Sequence, residues 1–179
     1  MNAAEDSWHG KHVLVTGGSG FIGSNLIRHL AVRGALCTSV DLVEPGPGLP
    51  VDRAVLADIT DQAAMRRCVA GADVVFPLAG RSGAVDSMSR AEEDLRLNCT
   101  AQLVLLENVR AVNPDARIVF PGSRLEYGEA VALPIDEDHR IRPSSPYALH
   151  KYSAGQYHLM YHRHFGLRTT VLRLSNPFG

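Results

Sequence analysis

Tyr147 and Lys151 stand four residues apart, so on a helix they share one face. Upstream, the run TGGSGFIG at 16–23 carries two glycine spacings at once: GxGxxG through Gly18, Gly20 and Gly23, and GxxGxxG through Gly17, Gly20 and Gly23. Such glycines let a backbone approach a pyrophosphate, and a helix opening at Phe21 and Ile22 would supply free N–H groups and a positive dipole end. The downstream pair suits proton transfer. A phenol with pKa ~10 is a poor base at neutral pH, but a nearby ammonium and an oxidised nicotinamide both favour the phenolate. It could then take a hydroxyl proton while hydride leaves the same carbon. Each motif alone is weak; in this order they point to hydride chemistry on a bound dinucleotide.

Asp41 ends the apolar run after the glycines, where a carboxylate accepts hydrogen bonds from adenosine ribose hydroxyls and repels a 2′-phosphate. The expected cofactor is therefore NAD and not NADP. Asp58, beside Ile59, closes the following run and fits either an adenine contact or a turn residue.

These residues must be positioned by elements, and from residue 11 onward apolar runs alternate with amphipathic stretches. Strands are expected at 11–16, 35–41, 53–57, 73–78, 117–120 and 168–174. Helices are expected at 21–33, closed by Gly34; at 61–70, capped by Asp61 or Thr60; at roughly 88–112, ended by Asn113 and Pro114; and at 147–165, ended by Gly166. The cluster PGPGLP at 45–50 reads as a loop, because its prolines cannot donate to a ladder. Strands alternating with helices imply parallel pairing through right-handed crossovers, hence an α/β doubly wound parallel sheet in one NAD-binding domain over 1–179. No closing helix follows the last strand, and open sheets bind ligands at the carboxyl ends of their strands. The expectation is a domain cut off where a substrate site would be completed, with little turnover of its own.

Acidic and basic residues nearly cancel, 19 against 18, with no long like-charge run, which leaves a nucleic-acid or membrane-surface role without support. No apolar stretch approaches the ~20 residues that a bilayer span needs. Residues 1–11 lack the basic-then-apolar order of a signal peptide. Cys37, Cys68 and Cys99 form no CxxC and cannot all pair, as expected of buried or half-buried thiols in a cytoplasmic protein. His158 and His162 have i,i+4 spacing, with His164 beyond, but no glutamate forms HExxH. A solvated or interfacial helix face is expected there, and no metal.

Taken in order, TGGSGFIG, Asp41, Asp58 with Ile59, Leu78-Ala79-Gly80, Asn98, Ser123 in SRLEYG at 123–128, PSSPY at 143–147 with Lys151, and RLSNPFG at 173–179 resemble a known family. It is the extended short-chain dehydrogenase/reductases, and within them the NAD-dependent nucleotide-sugar epimerase/dehydratases. The resemblance runs from residue 11 to residue 179 and implies a Rossmann-like fold. It implies that Ser123 hydrogen-bonds the reacting hydroxyl or ketone, that Tyr147 is the base, and that Lys151 holds the nicotinamide ribose. Leu78, Ala79 and Gly80 would line the cofactor, Asn98 would help fix the active-site architecture, and Asn176 would approach the sugar diphosphate. A homodimer is implied too, packed through the helices that carry Asn98 and Tyr147.

The departures narrow the activity. The family's 4,6-dehydratases carry an aspartate and a glutamate directly after the serine, acid and base for eliminating water; this chain has Arg124 and Leu125, with Glu126 one step further on. Ala101 and Gln102 stand where the pattern around Asn98 usually continues with glycine and threonine. The expected activity is a nucleotide-sugar epimerase: oxidation, at C4 by expectation, gives a ketone that rotates and takes hydride back on its other face. Alternatives are a keto-reductase or dehydratase of the same family and, from a different class, a dinucleotide-binding module without turnover.

Overall fold

The computed structural model describes residues 7–178. Its first strand, β1 (His12–Thr16), is buried on both faces: Val13 and Val15 point one way, Leu14 the other. α1 (Phe21–Ala31) covers the first face, setting Ile27 and Leu30 against Val13, Val15 and Cys37 of β2 (Leu36–Asp41). Leu14 and Val40 face the other layer, which begins with α2 (Gln62–Val69), capped by Asp61 accepting from the Ala64 N–H at 3.0 Å. β3 (Arg53–Leu56) precedes α2, and β4 (Val74–Pro77) follows it. Next come α3 (Ala84–Ser89), α4 (Ala91–Leu95), a π turn (Arg96–Thr100) and α5 (Ala101–Val112). β5 (Arg117–Ser123), a 3-10 turn (Arg124–Tyr127), α6 (Pro146–Phe165) and β6 (Arg168–Leu174) complete the order.

The sheet runs β3-β2-β1-β4-β5-β6 with every neighbouring pair parallel, a doubly wound, Rossmann-like architecture. Strand order reverses between β1 and β4, and a crevice opens there at the carboxyl ends. Three features differ from the sequence expectation. β5 reaches Ser123, because β6 pairs along all of it, while β4 pairs only with Arg117 and Ile118. Pro121 therefore removes no donor from the β4 ladder.

The helix expected over 88–112 is broken. Arg90, at φ −137° and ψ 43°, separates α3 from α4, and the π turn precedes α5. The break lets Ser87 accept the Tyr147 N–H of α6 at 3.1 Å while donating to Ala84 O, and Asn98 of the π turn is 3% exposed. His158 is the third difference. It is fully buried, because Ala154 and Gly155 bring α6 close to the sheet and Phe120 stacks on the imidazole at 4.5 Å between centroids. Burial, aided by the Lys151 charge, lowers its pKa to about 3. His162 and His164 are exposed.

Among the described residues, no group of three His, Cys, Asp or Glu side chains is placed to hold a metal ion, and no helix is long and apolar enough to cross a membrane. Cys37, Cys68 and Cys99 are free and buried.

Candidate active site

The glycine run is a backbone requirement. Gly17 has φ +69°, and a Cβ there would lie 2.7 Å from Ala79 N; a Cβ on Gly23 would lie 2.2 Å from Gly17 O. Thr16 Oγ1 accepts the Ala79 N–H at 3.1 Å, which holds the loop after β4 against the glycine loop. Gly20 is the N-cap of α1 and contributes no side-chain bond, so the N–H groups of the first turn are left for a ligand. This cradle fits a pyrophosphate. Gly17→Ala is expected to destabilise the fold by at least about 1–2 kcal/mol from the left-handed backbone alone. Urea unfolding measures it, and an unchanged midpoint would contradict the close approach.

Two adjoining clefts open at the crevice. One, of about 440 Å³, is lined by Gly17, Gly20, Phe21, Ile22, Gly23, Leu78, Ala79, Gly80, Asn98, Ser123, Tyr147 and Lys151, among others. The other, of about 340 Å³, shares Gly17, Gly20, Leu78, Ala79 and Gly80 and adds Asp41, Asp58 and Ile59. Asp41 is fixed at its mouth by two backbone donors, the Ser19 N–H at 3.0 Å and the Leu42 N–H at 2.7 Å. Asp58 closes a turn: its Oδ1 accepts from the Thr60 N–H and hydroxyl, both at 2.8 Å, with Arg96 at 3.4 Å from Oδ2. The Thr60 N–H bond is the main reason its pKa lies below the ordinary value. Asn176 lines neither cleft; it is exposed and accepts from Arg124 Nε at 3.1 Å.

Ser123, Tyr147 and Lys151 meet in the larger cleft because β5 and α6 end and begin beside each other. α6 starts there with Ser145 as N-cap and Pro146 in its first turn. Ser123 Oγ accepts the Leu125 N–H at 3.2 Å and lies in the same cleft as the Tyr147 phenol. Burial raises the Tyr147 pKa, the neighbouring Ser123 hydroxyl opposes that, and the charges of Asp94 and Glu126 raise it further. Lys151 is 9% exposed, with its ammonium 4.3 Å from the Phe120 ring centroid. Burial lowers its pKa to about 8, against the supporting charges of Glu126 and Asp94.

Sequence reasoning missed the groups that hold these three. Glu126 is 1% exposed; its Oε1 accepts the Ser123 N–H at 2.8 Å and its Oε2 accepts from Arg173 Nε at 2.9 Å. The spacing from Ser123 to Glu126 is that of a capping box and was a usable signal. Asp94, at i−4 from Asn98, donates nothing and accepts from both Asn98 and His150. The first pairing was legible in helical spacing; the second was not.

Proton transfer beside a dinucleotide cradle is the working arrangement of nicotinamide-dependent enzymes on doubly wound sheets. Within that class, residues 13–179 match the NAD dependent epimerase/dehydratase family, and the chain belongs to it. It is 31% identical over 170 residues to UDP-glucose 4-epimerase of Corynebacterium glutamicum, covering 93% of this chain and 51% of that protein. It is 31% identical over 183 residues to dTDP-glucose 4,6-dehydratase of Mycolicibacterium smegmatis, covering 93% and 54%. The crystal structure of UDP-glucose 4-epimerase from Brucella ovis in complex with NAD matches with a TM-score of 0.87 and 29% identity, over 93% of this chain and 52% of that one. The chain spans about half the length of the curated relatives it matches.

Proposed function

We propose that the protein is an NAD-dependent nucleotide-sugar epimerase that inverts a sugar carbon, C4, through a transient ketone. The observation that carries the reading is the meeting of Ser123, Tyr147 and Lys151 in a cleft continuous with the glycine cradle, with no carboxylate at 124 or 125. Bound there, NAD supplies the hydride acceptor and donor and a positive charge beside the phenol. Tyr147 takes the C4 hydroxyl proton as hydride leaves C4, and later returns a proton to the ketone oxygen as hydride comes back to the other face of the carbon. Ser123, whose oxygen accepts from Leu125, would turn its own proton to the reacting oxygen. Lys151 orients the nicotinamide ribose, and the cofactor charge brings down a phenol pKa that burial has raised.

Dehydration is disfavoured because Leu125 is apolar, Arg124 is cationic, and both oxygens of buried Glu126 are engaged. The same reading makes residues 1–179 one NAD-binding domain of a cytoplasmic homodimer, with a nucleotide-diphosphate sugar as substrate and Asn176 near its diphosphate. The test is to incubate the full-length gene product with a panel of nucleotide sugars and catalytic NAD. Epimer formation with no net change in nicotinamide absorbance is expected; a 4-keto-6-deoxy product would make it a dehydratase, and, in a parallel run with keto-sugar nucleotides and NADH, stoichiometric NADH consumption without epimer formation in the first run would make it a keto-reductase.

Cofactor choice is separately testable on the 179-residue chain. NAD should bind more tightly than NADP, because the Asp41 carboxylate stands where a 2′-phosphate would fall. Asp41→Ala should narrow the gap, chiefly by weakening NAD. Titration calorimetry with both cofactors measures this, and equal or tighter NADP binding by the unaltered chain would sink the assignment.

A further inference from the structure

Asp94 is 1% exposed, and its two carboxylate oxygens face different elements. Oδ1 accepts from His150 Nδ1 at 2.7 Å, and Oδ2 accepts from Asn98 Nδ2 at 2.9 Å. A carboxylate can only accept, so the Nδ1 of His150 carries the proton. Asn98 extends the connection: Nδ2 also donates to Arg81 O at 2.9 Å, and Oδ1 accepts the Arg81 N–H at 3.2 Å. A Cβ on Gly80 would lie 2.4 Å from that same oxygen, so the loop backbone is pressed against Asn98. His150 lies on α6 between Tyr147 and Lys151. One bonded chain thus joins the helix bearing the proton-transfer pair to the loop lining the cofactor cleft. Neither Asp94 nor His150 lines either cleft, so neither is a ligand contact.

We infer that Asp94 and His150 are positioning residues, which set where α6 presents Tyr147 and Lys151 to the loop at 78–81. The inference rests on the roles proposed above for that pair. Charge matters as well as geometry. The titratable groups that face the Lys151 ammonium are Asp94 from α4, Glu126 from the 3-10 turn and His158 from α6 itself; the two carboxylates support its charge.

The test uses His150→Ala, His150→Asn and Asp94→Asn. Turnover is read in the full-length gene product, and NAD affinity and an NMR titration of the Lys151 side chain in the same protein. A slightly misplaced pair should cost His150→Ala about tenfold to a hundredfold in kcat, with KM and NAD affinity nearly unchanged. His150→Asn, whose amide N–H can replace the imidazole Nδ1–H toward Asp94, should recover most of that loss. Asp94→Asn keeps the shape and removes the charge, so the alkaline limb of kcat and the Lys151 titration should both move to lower pH. A kcat loss that merely tracks loss of folded protein, without rescue by asparagine and with an unmoved alkaline limb, would overturn the inference. Failure of the proposed function looks different: Tyr147→Phe would retain turnover while the Lys151 titration still responded to Asp94→Asn.

Discussion

Replacing Tyr147 by phenylalanine in the full-length gene product should lower turnover by about 10²–10⁴-fold while leaving NAD affinity nearly unchanged. The ring keeps its packing, and the Tyr147 N–H keeps its bond to Ser87, so the start of α6 stays in place. What is lost is the ionisable oxygen beside Ser123. The effect therefore falls on the proton-transfer step and appears in kcat and kcat/KM alike. Steady-state kinetics with cofactor titration checks it. Activity within a few-fold of the unaltered enzyme would remove Tyr147 from the role of base.

Lys151→Met should abolish most turnover and yet stabilise the fold at neutral pH. The Lys151 pKa is lowered from 10.5 to about 8 by burial, so below pH 8 both folded and unfolded chains carry the proton, and the folded one bears the full cost of a desolvated ammonium. Between about 8 and 10.5 the folded chain has released that proton while the unfolded chain still holds it, so stability rises with pH across that window. Above it the cost is gone. Methionine matches the stem and carries no charge. Its advantage should be up to about 3 kcal/mol at pH 7, net of the attraction of Asp94 and Glu126, and should fade toward pH 10.5. Urea unfolding of both chains at several pH values measures this. A destabilised variant whose difference from the parent did not vary with pH would contradict the assignment of a buried ammonium.

What could be read from the chain follows from how local each requirement is. Gly17 and Gly23 were legible because a side chain at either position collides with backbone within the motif or its neighbouring loop, a constraint that leaves glycine at fixed spacing. The far end of β5 is not legible locally, because proline and glycine at 121 and 122 signal a turn, while the partner that holds Ser123 in a strand lies far downstream in β6. The break at Arg90 and the π turn at Asn98 were invisible, since the apolar period runs on through α5. The polarity of His158 argues for an exposed face; only the stacking of Phe120 and the bond to Gln102 Oε1 at 3.3 Å explain its burial. Asp94 and His150 are 56 residues apart, and nothing local announces their pairing.

In the proposed reaction, hydride leaves and returns to one sugar carbon beside Tyr147 without exchange. The direct measurement uses a nucleotide sugar deuterated at C4 with the full-length gene product and catalytic NAD in ordinary water, and follows the label by NMR and mass spectrometry. The account predicts an inverted C4 that keeps its deuterium, with none appearing in the solvent. An inverted product with protium at C4, or inversion at another carbon with C4 untouched, would contradict it.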